Sequence, residues 1–220
     1  MEKRGIARAL ATQALQENRP LGWFEMLYQR AGSEQVPIPW ADRVPNPNVV
    51  ALLEERGIKG NDKLALKIGA GLGDDAEYLD ALGFRVVAFD IAPTAIRLAQ
   101  ERFAASRVKY VVADLFQLPE DWLGRFDFVC ESYTLQVLPP DLRRKAIDLI
   151  PGLMAENGEL VVVTRARSEG DPEGNMPWPL MESEMRRFEQ GGLTCVSFEE
   201  YTDHEVPPVR RFRALYRKGP

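Results

Sequence analysis

Glycine and acidic residues recur at the points where successive apolar, strand-like runs of the chain end. In an open parallel sheet the carboxyl ends of the strands lie at one edge, and ligands bind beyond that edge. Glycine lets a backbone approach a ligand closely, and a carboxylate accepts hydrogen bonds from hydroxyl and amino groups. The pattern therefore predicts a ligand site at such an edge. Its residues are Gly69, Gly71 and Gly73 after the first run, then Asp90, Asp114 and Glu131 after the next three.

Asp90 stands 17 residues after Gly73. This is close to the spacing of about 20 residues at which a carboxylate follows a glycine fingerprint and binds the hydroxyls of a ribose. Two plainer explanations stay open. Asp90 also suits the N-cap of the following helix, and the glycines also suit a tight turn with close helix packing. The spacing nevertheless favours a ligand that contains a ribose.

Asp74 and Asp75 follow the glycines directly and fall in the first turn of a predicted helix. Acidic residues stabilise this end of a helix because they interact with its dipole and cap free N–H groups. A bound pyrophosphate would use the same helix end, where two carboxylates would repel it. The pair therefore favours S-adenosylmethionine, which carries a sulfonium and an ammonium group, over NAD. NADP is disfavoured more strongly, because Asp90 would meet its 2′-phosphate.

The elements that must position these residues follow from the pattern after residue 63. Strand-like runs alternate there with helical patterns, which predicts a parallel sheet with helices on both faces. The last two runs have no helix between them and predict an antiparallel hairpin. The expected fold is α/β, a three-layer Rossmann-like sheet of five parallel strands plus this hairpin, seven strands in all. The runs are 64–68, 84–90, 107–114, 126–132 and 158–166, then 193–201 and 209–217.

The first 60 residues do not share this alternation. Helical spacing predicts one helix from residue 5 and a second over 21–32, and a proline-rich loop leads to a third over 48–56. We therefore expect residues 1–60 to form a helical N-terminal cap. Residues 61–220 are expected to form the ligand-binding domain as a single structural unit.

The composition narrows the function classes. With 220 residues, a net charge of −5 and a pI near 5.2, the chain gives no basic footprint for nucleic acid or an anionic membrane. Two cysteines, Cys130 and Cys195, and one histidine, His204, give no support for a disulfide framework, a metal site or a histidine triad. No secretory signal or membrane-spanning run is predicted, which favours a cytoplasmic protein with a small-molecule partner. The oligomeric state stays open.

Several stretches carry a family resemblance. "ALKIGAGLGDDAEYL", "VVAFDIAPTAI", "YVVADLFQLP", "FDFVCESYTLQVLPPDLRRKA" and "GELVVVTRA" resemble the class I S-adenosylmethionine-dependent methyltransferases. The loops "PWADRVPNP" and "NMPWPL" resemble the thiopurine, thiol and halide methyltransferase group within that class. The resemblance implies methyl transfer from S-adenosylmethionine to a small molecule, with a thiol or another soft nucleophile as the acceptor.

The resemblance also implies residue roles. The three glycines would lie under the methionine part of the cofactor, Asp90 would hold the ribose, and Asp114 with the Leu115 backbone would contact the adenine. The implied cofactor-binding set is Trp23, Trp40, Gly69, Gly71, Gly73, Asp90, Ile91, Asp114, Leu115 and Glu131. The expected catalytic set is Glu131, near the sulfonium by resemblance, Trp178, on the substrate side by resemblance, and Tyr133. Tyr133, Glu131, Tyr201 and His204 are the side chains that could act as a base, and Tyr201 and His204 could equally be rim residues. Packing is the alternative role for each tryptophan.

Three residues depart from the family pattern. Lys67 replaces an aliphatic or acidic residue, Ala70 stands where the subgroup often has cysteine, and Glu131 replaces a shorter aspartate. A buried lysine is costly unless it is paired, so Lys67 either neutralises a nearby carboxylate or the cofactor carboxylate, or weakens binding.

Other functions and roles stay open beside this one. A nicotinamide-dependent oxidoreductase and a non-catalytic S-adenosylmethionine-binding protein are the alternative functions. Arg210 and Arg211, in the last run, would meet an acidic substrate or lie on a solvated edge strand, and the second role is favoured.

Overall fold

The computed structural model describes residues 3–33 and 38–220, which form a seven-stranded sheet with helices on both faces. The spatial order of the strands is β3-β2-β1-β4-β5-β7-β6. Strands β1 to β5 run parallel to one another, and β7 is antiparallel to both β5 and β6. The predicted fold class is confirmed. The strands are β1 (Leu64–Ile68), β2 (Arg85–Asp90), β3 (Lys109–Val112), β4 (Phe126–Ser132), β5 (Met154–Arg165), β6 (Leu193–Thr202) and β7 (Arg210–Lys218).

Seven α-helices accompany the strands in the described residues. Two short 3-10 turns lie at Glu120–Trp122 and Leu135–Val137. The predicted helices all form, with ends within a few residues of those expected. They are α1 (Lys3–Gln16), α2 (Gly22–Ser33), α3 (Pro47–Glu55), α4 (Asp74–Ala81), α5 (Pro93–Arg102), α6 (Pro140–Leu153) and α7 (Glu182–Gln190).

Both faces of the sheet are buried, because successive side chains of a strand point to opposite faces. In β5, Leu160 and Val162 join the apolar core on one face, while Val161 and Val163 join the core on the other. All four side chains are fully buried. This double burial explains why the central strands read as continuous apolar runs in the sequence.

The register aligns the carboxyl ends of the central strands. Ile68, the last residue of β1, pairs with Phe89 of β2 on one side and with Glu131 of β4 on the other. The glycine turn after β1, Asp90 and the end of β4 therefore lie at one edge of the sheet, as predicted from the sequence.

The boundaries differ from the prediction most at β5 and β7. Strand β5 begins at Met154, before the predicted start at residue 158, because an irregularity between Phe126 and Phe128 lets Met154 pair with Phe126. Strand β7 lies between β5 and β6, so β6 is the edge strand. The favoured prediction of a solvated edge was therefore wrong for Arg211, which is buried, whereas Arg210 is partly exposed.

The N-terminal helices cover the carboxyl edge of the sheet. Helices α1 and α2 pack together through Leu10, Trp23 and Leu27, and Met176 from the segment after β5 joins this cluster. Residues 1, 2 and 34–37 of the predicted cap and its proline-rich loop lie outside the described residues. No helix in the described ranges combines the length and the hydrophobicity needed to cross a bilayer.

Candidate active site

A cavity of about 670 Å³ lies between the carboxyl edge of the sheet and the N-terminal helices. Its walls come from the turn after β1, the ends of β2, β4 and β5, the first two helices, the loop before α3, and β7. Ligand pockets usually measure about 300–1,000 Å³. The cavity therefore has room for a nucleoside-sized ligand and a second small molecule.

The glycine turn forms one wall of this cavity. Gly69 and Gly71 line it with φ values of 66° and 54°, in the left-handed region that side chains rarely adopt. A β-carbon on Gly69 would meet the Thr134 hydroxyl oxygen at 2.3 Å. A side chain at either position would strain the backbone of this turn, and at Gly69 it would also collide with Thr134.

Gly73 has a different role. It is the N-cap residue of α4, with a φ of 93°, and it is not among the residues that line the cavity. An added β-carbon would meet the Tyr110 hydroxyl at 2.5 Å and the Phe103 ring at 3.1 Å. Close packing, the plainer explanation from the sequence, accounts for this glycine.

Asp90 is buried at the cavity wall and holds two backbone segments. Its Oδ2 accepts the N–H of Gly71 at 2.9 Å, and its Oδ1 accepts the N–H of Ala92 at 3.0 Å. Burial raises the pKa of Asp90, while these donors and the nearby Lys67 act in the opposite direction. The carboxylate thus ties the glycine turn to the start of α5 and remains at the cavity surface.

The next strand end supplies a second carboxylate. Asp114 lies just beyond β3 and lines the cavity together with Ile91 and Leu115. Its Oδ1 accepts the N–H of Phe116 at 2.9 Å. A carboxylate between apolar side chains can accept hydrogen bonds from the amino group of a planar base.

Lys67 is buried, with 2% of its surface exposed, and contributes to the cavity wall. Its Nζ donates to the carbonyl oxygens of Ile68 at 2.6 Å and Gly69 at 3.1 Å. The same Nζ lies 3.7 Å from Oδ2 of Asp75. Lys67 is therefore paired with a carboxylate of its own chain and holds the start of the glycine turn.

The charges of Asp74 and Asp75 are compensated within the chain. Asp74 makes a two-pronged ion pair with Arg102, at 2.6 and 2.7 Å. Asp75 faces Lys67 and accepts the Ser132 hydroxyl at 2.6 Å and the Asn46 N–H at 2.7 Å. The sequence does not show these partners, which leave the two carboxylates with less charge to attract a cationic cofactor than their residue types indicate.

Glu131 is fully buried and is not among the residues that line the cavity. Its Oε1 accepts the N–H groups of Thr134 at 2.6 Å and Leu135 at 2.9 Å. Its Oε2 has no hydrogen-bond partner within the described part of the chain. Burial raises the pKa of Glu131 to about 7, although the two backbone donors and Lys67 lower it. The observed contacts of Glu131 hold the turn after β4.

Tyr133 lines the cavity in a left-handed conformation, with a φ of 66°. Its hydroxyl accepts a hydrogen bond from Nδ2 of Asn48 at 2.8 Å, and burial raises its pKa. Tyr201 donates to Oδ1 of the same asparagine at 2.6 Å. Neither Tyr201 nor His204 lines the cavity.

The predicted tryptophans divide between cavity wall and packing. Trp40 lines the cavity, and its Nε1 donates to the Tyr28 hydroxyl at 2.9 Å. Trp23 is buried beneath it, stacked on Phe24 with ring centroids 4.0 Å apart. Trp178 packs against the same apolar cluster as Trp23. Neither Trp23 nor Trp178 belongs to the cavity wall.

Several cavity residues were missed from the sequence. Arg4, Phe24 and Tyr28 come from the N-terminal helices, whose positions the sequence does not give. Arg165 also lines the cavity, and it is the last residue of β5. The rule that identified Asp90, a polar residue at a strand end, could have identified Arg165.

The chain is similar to known methyltransferases. A family model described as "Methyltransferase domain" matches residues 65–158, which contain β1 to β4 and the glycine turn. A curated relative is 30% identical over 202 residues, covering 89% of this chain and 82% of its own length. That relative is the 2-heptyl-1-hydroxyquinolin-4(1H)-one methyltransferase of Mycobacteroides abscessus. The chain belongs to the class I S-adenosylmethionine-dependent methyltransferases.

Solved methyltransferase structures share this fold. The N-methyltransferase NodS of Bradyrhizobium japonicum, in complex with S-adenosyl-L-homocysteine, has a TM-score of 0.69 and 22% identity. The match covers 88% of this methyltransferase and 99% of NodS. The 1,6-didemethyltoxoflavin-N1-methyltransferase of Burkholderia thailandensis has a TM-score of 0.64 and 19% identity, over 100% of this chain and 90% of that one.

The methyltransferase uses S-adenosylmethionine and acts on a small molecule. The family model ends at residue 158. The cavity residues that come from the end of β5, from the segment after it and from β7 lie beyond that point. The glycine turn, Asp90 and Asp114 therefore lie in the matched region, whereas Arg165 and Arg211 lie outside it. Membership of the thiopurine, thiol and halide group stays a prediction.

Proposed function

We propose that the enzyme transfers a methyl group to a sulfur or oxygen nucleophile that is anionic near neutral pH, on a small aromatic molecule. A thiolate is the acceptor that the sequence resemblance implies. The ionised hydroxyl of a heteroaromatic compound is the second form, supported by the hydroxyquinolone in the name of the 30% identical relative. One observation carries the proposal: a single cavity runs from the glycine turn to Tyr133, Arg165 and Arg211.

In this proposal the cofactor occupies the end of the cavity at the glycine turn. The carboxylates of Asp90 and Asp114 line that end and suit the hydroxyl and amino donors of an adenosine. We assign the amino-acid part of the cofactor to the turn at Gly69 and Gly71, which lines the cavity in a backbone conformation that glycine adopts without strain. Ile91 and Leu115 are assigned as apolar contacts for the adenine.

We assign residues 1–60 as a cap that closes over the bound cofactor. Trp40 and Tyr28 present aromatic groups to the cavity from this segment. An aromatic face attracts a cation by about 0.5–2 kcal/mol, which would favour the sulfonium of S-adenosylmethionine over its neutral product. Trp23 supports the cap from within the apolar cluster.

When bound, S-adenosylmethionine supplies a methyl group on a sulfonium that an in-line nucleophile displaces. The residues of this chain contribute position and exclusion of water rather than proton removal. Burial raises the pKa of the Tyr133 hydroxyl, so this group stays protonated and cannot take a proton from an acceptor. Glu131 and Trp178 do not line the cavity, so we give them supporting rather than catalytic roles. An acceptor that is already ionised fits such a site.

The proposal includes a reducing, cytoplasmic setting. Cys130 and Cys195 are both free thiols in the structure. Unpaired cysteines are typical of proteins that work where thiols stay reduced.

A turnover assay tests the function. Formation of S-adenosylhomocysteine is measured with thiols, halides, phenols, amines and 2-heptyl-1-hydroxyquinolin-4(1H)-one, beside calorimetry with S-adenosylmethionine, S-adenosylhomocysteine and NAD. We expect binding of the two adenosyl compounds, no response to NAD, and turnover with a thiol or an acidic hydroxyl. Binding of S-adenosylmethionine without turnover of any acceptor would instead indicate a non-catalytic protein.

A further inference from the structure

Arg211 is the second residue of β7 and lines the cavity opposite the glycine turn, with 1% of its surface exposed. Its Nε donates to Oδ2 of Asp203 at 2.6 Å, and its Nη2 donates to Glu205. Its third nitrogen, Nη1, is buried and has no hydrogen-bond partner among the described residues. A buried donor without a partner costs about 1–3 kcal/mol, and more when it is charged. A ligand that accepts from Nη1 would remove this cost.

Two further arginines line the same part of the cavity. Nη2 of Arg4 lies 3.4 Å from Oε2 of Glu205, and Nη2 of Arg165 lies 3.9 Å from the same oxygen. Burial lowers the pKa of Arg165 to about 10, helped by repulsion from Arg4 and Arg211. Three guanidinium groups thus share Glu205, and within the described ranges Asp203 is the second carboxylate that pairs with them. The cluster is left with one uncompensated positive charge.

The walls around these arginines are largely apolar. The Tyr133 ring lies under the Arg211 guanidinium, with 4.6 Å from Cζ to the ring centroid. Met176, Pro177 and Val206 also line the cavity. Val206 is 97% exposed, so an apolar side chain stands in solvent at the rim. The surroundings therefore suit a ligand with an apolar or aromatic body and one anionic group.

We propose that Arg4, Arg165 and Arg211 form an anion subsite for the methyl acceptor, with Nη1 of Arg211 as its principal donor. The acceptor class is an aromatic compound that carries a carboxylate or an equivalent anionic oxygen. Arginine suits this task because its planar group can bind a carboxylate through two parallel hydrogen bonds. This inference rests on the proposed function, because it assigns the substrate class of the same cavity.

Binding of a matched pair of non-reactive compounds tests the subsite without turnover. Calorimetry with saturating S-adenosylhomocysteine compares 2-naphthoate with its uncharged carboxamide, 2-naphthamide. A hydrogen bond to a charged group contributes about 1.5–3 kcal/mol. We therefore expect the wild-type enzyme to bind the carboxylate at least about tenfold more tightly. Equal affinities, or no binding of the carboxylate, would overturn the inference.

Three variants locate the effect. Arg211→Gln and Arg165→Gln should each abolish most of the preference for 2-naphthoate. Arg210→Gln is the matched control, because Arg210 is adjacent in sequence, is partly exposed and pairs with Glu200 outside the cavity. It should leave the preference unchanged. A similar loss in the control and in Arg211→Gln would overturn the assignment.

Two further readouts keep the outcomes distinct. Affinity for S-adenosylhomocysteine reports whether each variant folds, and if Arg211→Gln fails this check, Arg165→Gln decides the result. If the preference for 2-naphthoate is present but no acceptor is methylated, the proposed function fails and the anion subsite stands. If thiols or acidic hydroxyls without a separate carboxylate are methylated and no preference for 2-naphthoate is found, the proposed function stands and the subsite fails.

Discussion

The ammonium of Lys67 lies 3.7 Å from Oδ2 of Asp75, and the pair joins β1 to the first turn of α4. Asp75 extends this contact to Ser132 at the end of β4 and to the backbone of Asn46 before α3. One buried ion pair therefore connects the central strands, the glycine turn and the N-terminal segment. Lys67 also lowers the pKa values of Asp90 and Glu131, so it compensates three carboxylates.

Replacing Lys67 with methionine should destabilise the enzyme. Removing one partner of a buried ion pair costs about 3–5 kcal/mol, because the remaining charge is left uncompensated. The free energy of unfolding, measured with urea, should fall by this amount in Lys67→Met. The loss should be larger at pH 8 than at pH 5.5, where Glu131 is protonated and needs no cation. Lys63→Met, at the exposed start of the strand, should change stability by less than about 0.5 kcal/mol. A loss below about 1 kcal/mol in Lys67→Met would contradict the pairing.

Asp90→Ala should prevent measurable cofactor binding and leave the fold intact. The substitution removes the carboxylate from the cavity wall and frees the glycine turn from its contact at Gly71. Asp127→Ala is a matched control, since Asp127 accepts the N–H of Leu64 at 2.8 Å at the amino end of β1. Calorimetry with S-adenosylhomocysteine should show lost affinity only in Asp90→Ala, while both variants retain the circular dichroism of the wild type. Unchanged affinity in Asp90→Ala would show that the ribose assignment is wrong.

Trp40→Ala should weaken binding of S-adenosylmethionine more than binding of S-adenosylhomocysteine. Only the first compound is a sulfonium, and a cation–π contact of about 0.5–2 kcal/mol corresponds to roughly 2- to 30-fold in affinity. Calorimetry with both compounds measures the difference. Trp23→Ala should instead lower stability by about 3–5 kcal/mol, because Trp23 is a buried packing residue. Equal losses of the two affinities in Trp40→Ala would contradict the cation–π role.

Glu131 should make stability depend on pH. Its folded pKa is about 7, above the ordinary value of 4.5, so the folded chain binds a proton that the unfolded chain has released. Stability from this group is therefore full below about pH 4.5 and is lost as the pH rises through about 7, with a slope on the order of 1 kcal/mol per pH unit. Glu131→Gln cannot ionise, and urea unfolding from pH 5 to 8 should show a flatter profile. Parallel profiles for variant and wild type would count against the raised pKa.

Local patterns were sufficient to predict most of the fold. The alternation of strand-like and helical runs predicted every strand of the sheet, because strands buried on both faces are continuously apolar. The position of β7 was not predictable in the same way. A hairpin can add to the sheet through either strand, and only packing places β7 beside β5 and buries Arg211.

The site was predicted where it depends on strand ends and missed where it depends on long-range partners. Asp90 and Asp114 follow their strands directly, so their place in the cavity wall could be predicted. The pairing of Asp74 with Arg102 joins residues 28 positions apart. Arg4 lies in the first helix, far in sequence from Arg165 and Arg211, which line the same cavity. Such contacts depend on tertiary packing, which spacing in the sequence does not reveal.

The kinetics of methyl transfer test whether Asp90 serves the cofactor and Arg211 serves the methyl acceptor in one cavity. S-adenosylhomocysteine formation is followed with 2-mercaptobenzoate, an aromatic thiol with a carboxylate, in the wild type, Asp90→Ala and Arg211→Gln. We expect the wild type to methylate this thiol. We also expect that Asp90→Ala is not saturated by S-adenosylmethionine, whereas Arg211→Gln raises only the KM for the thiol. The assignments would be contradicted if both variants weakened the use of the same substrate. They would also be contradicted if the enzyme bound S-adenosylmethionine but methylated neither this thiol nor the hydroxyquinolone.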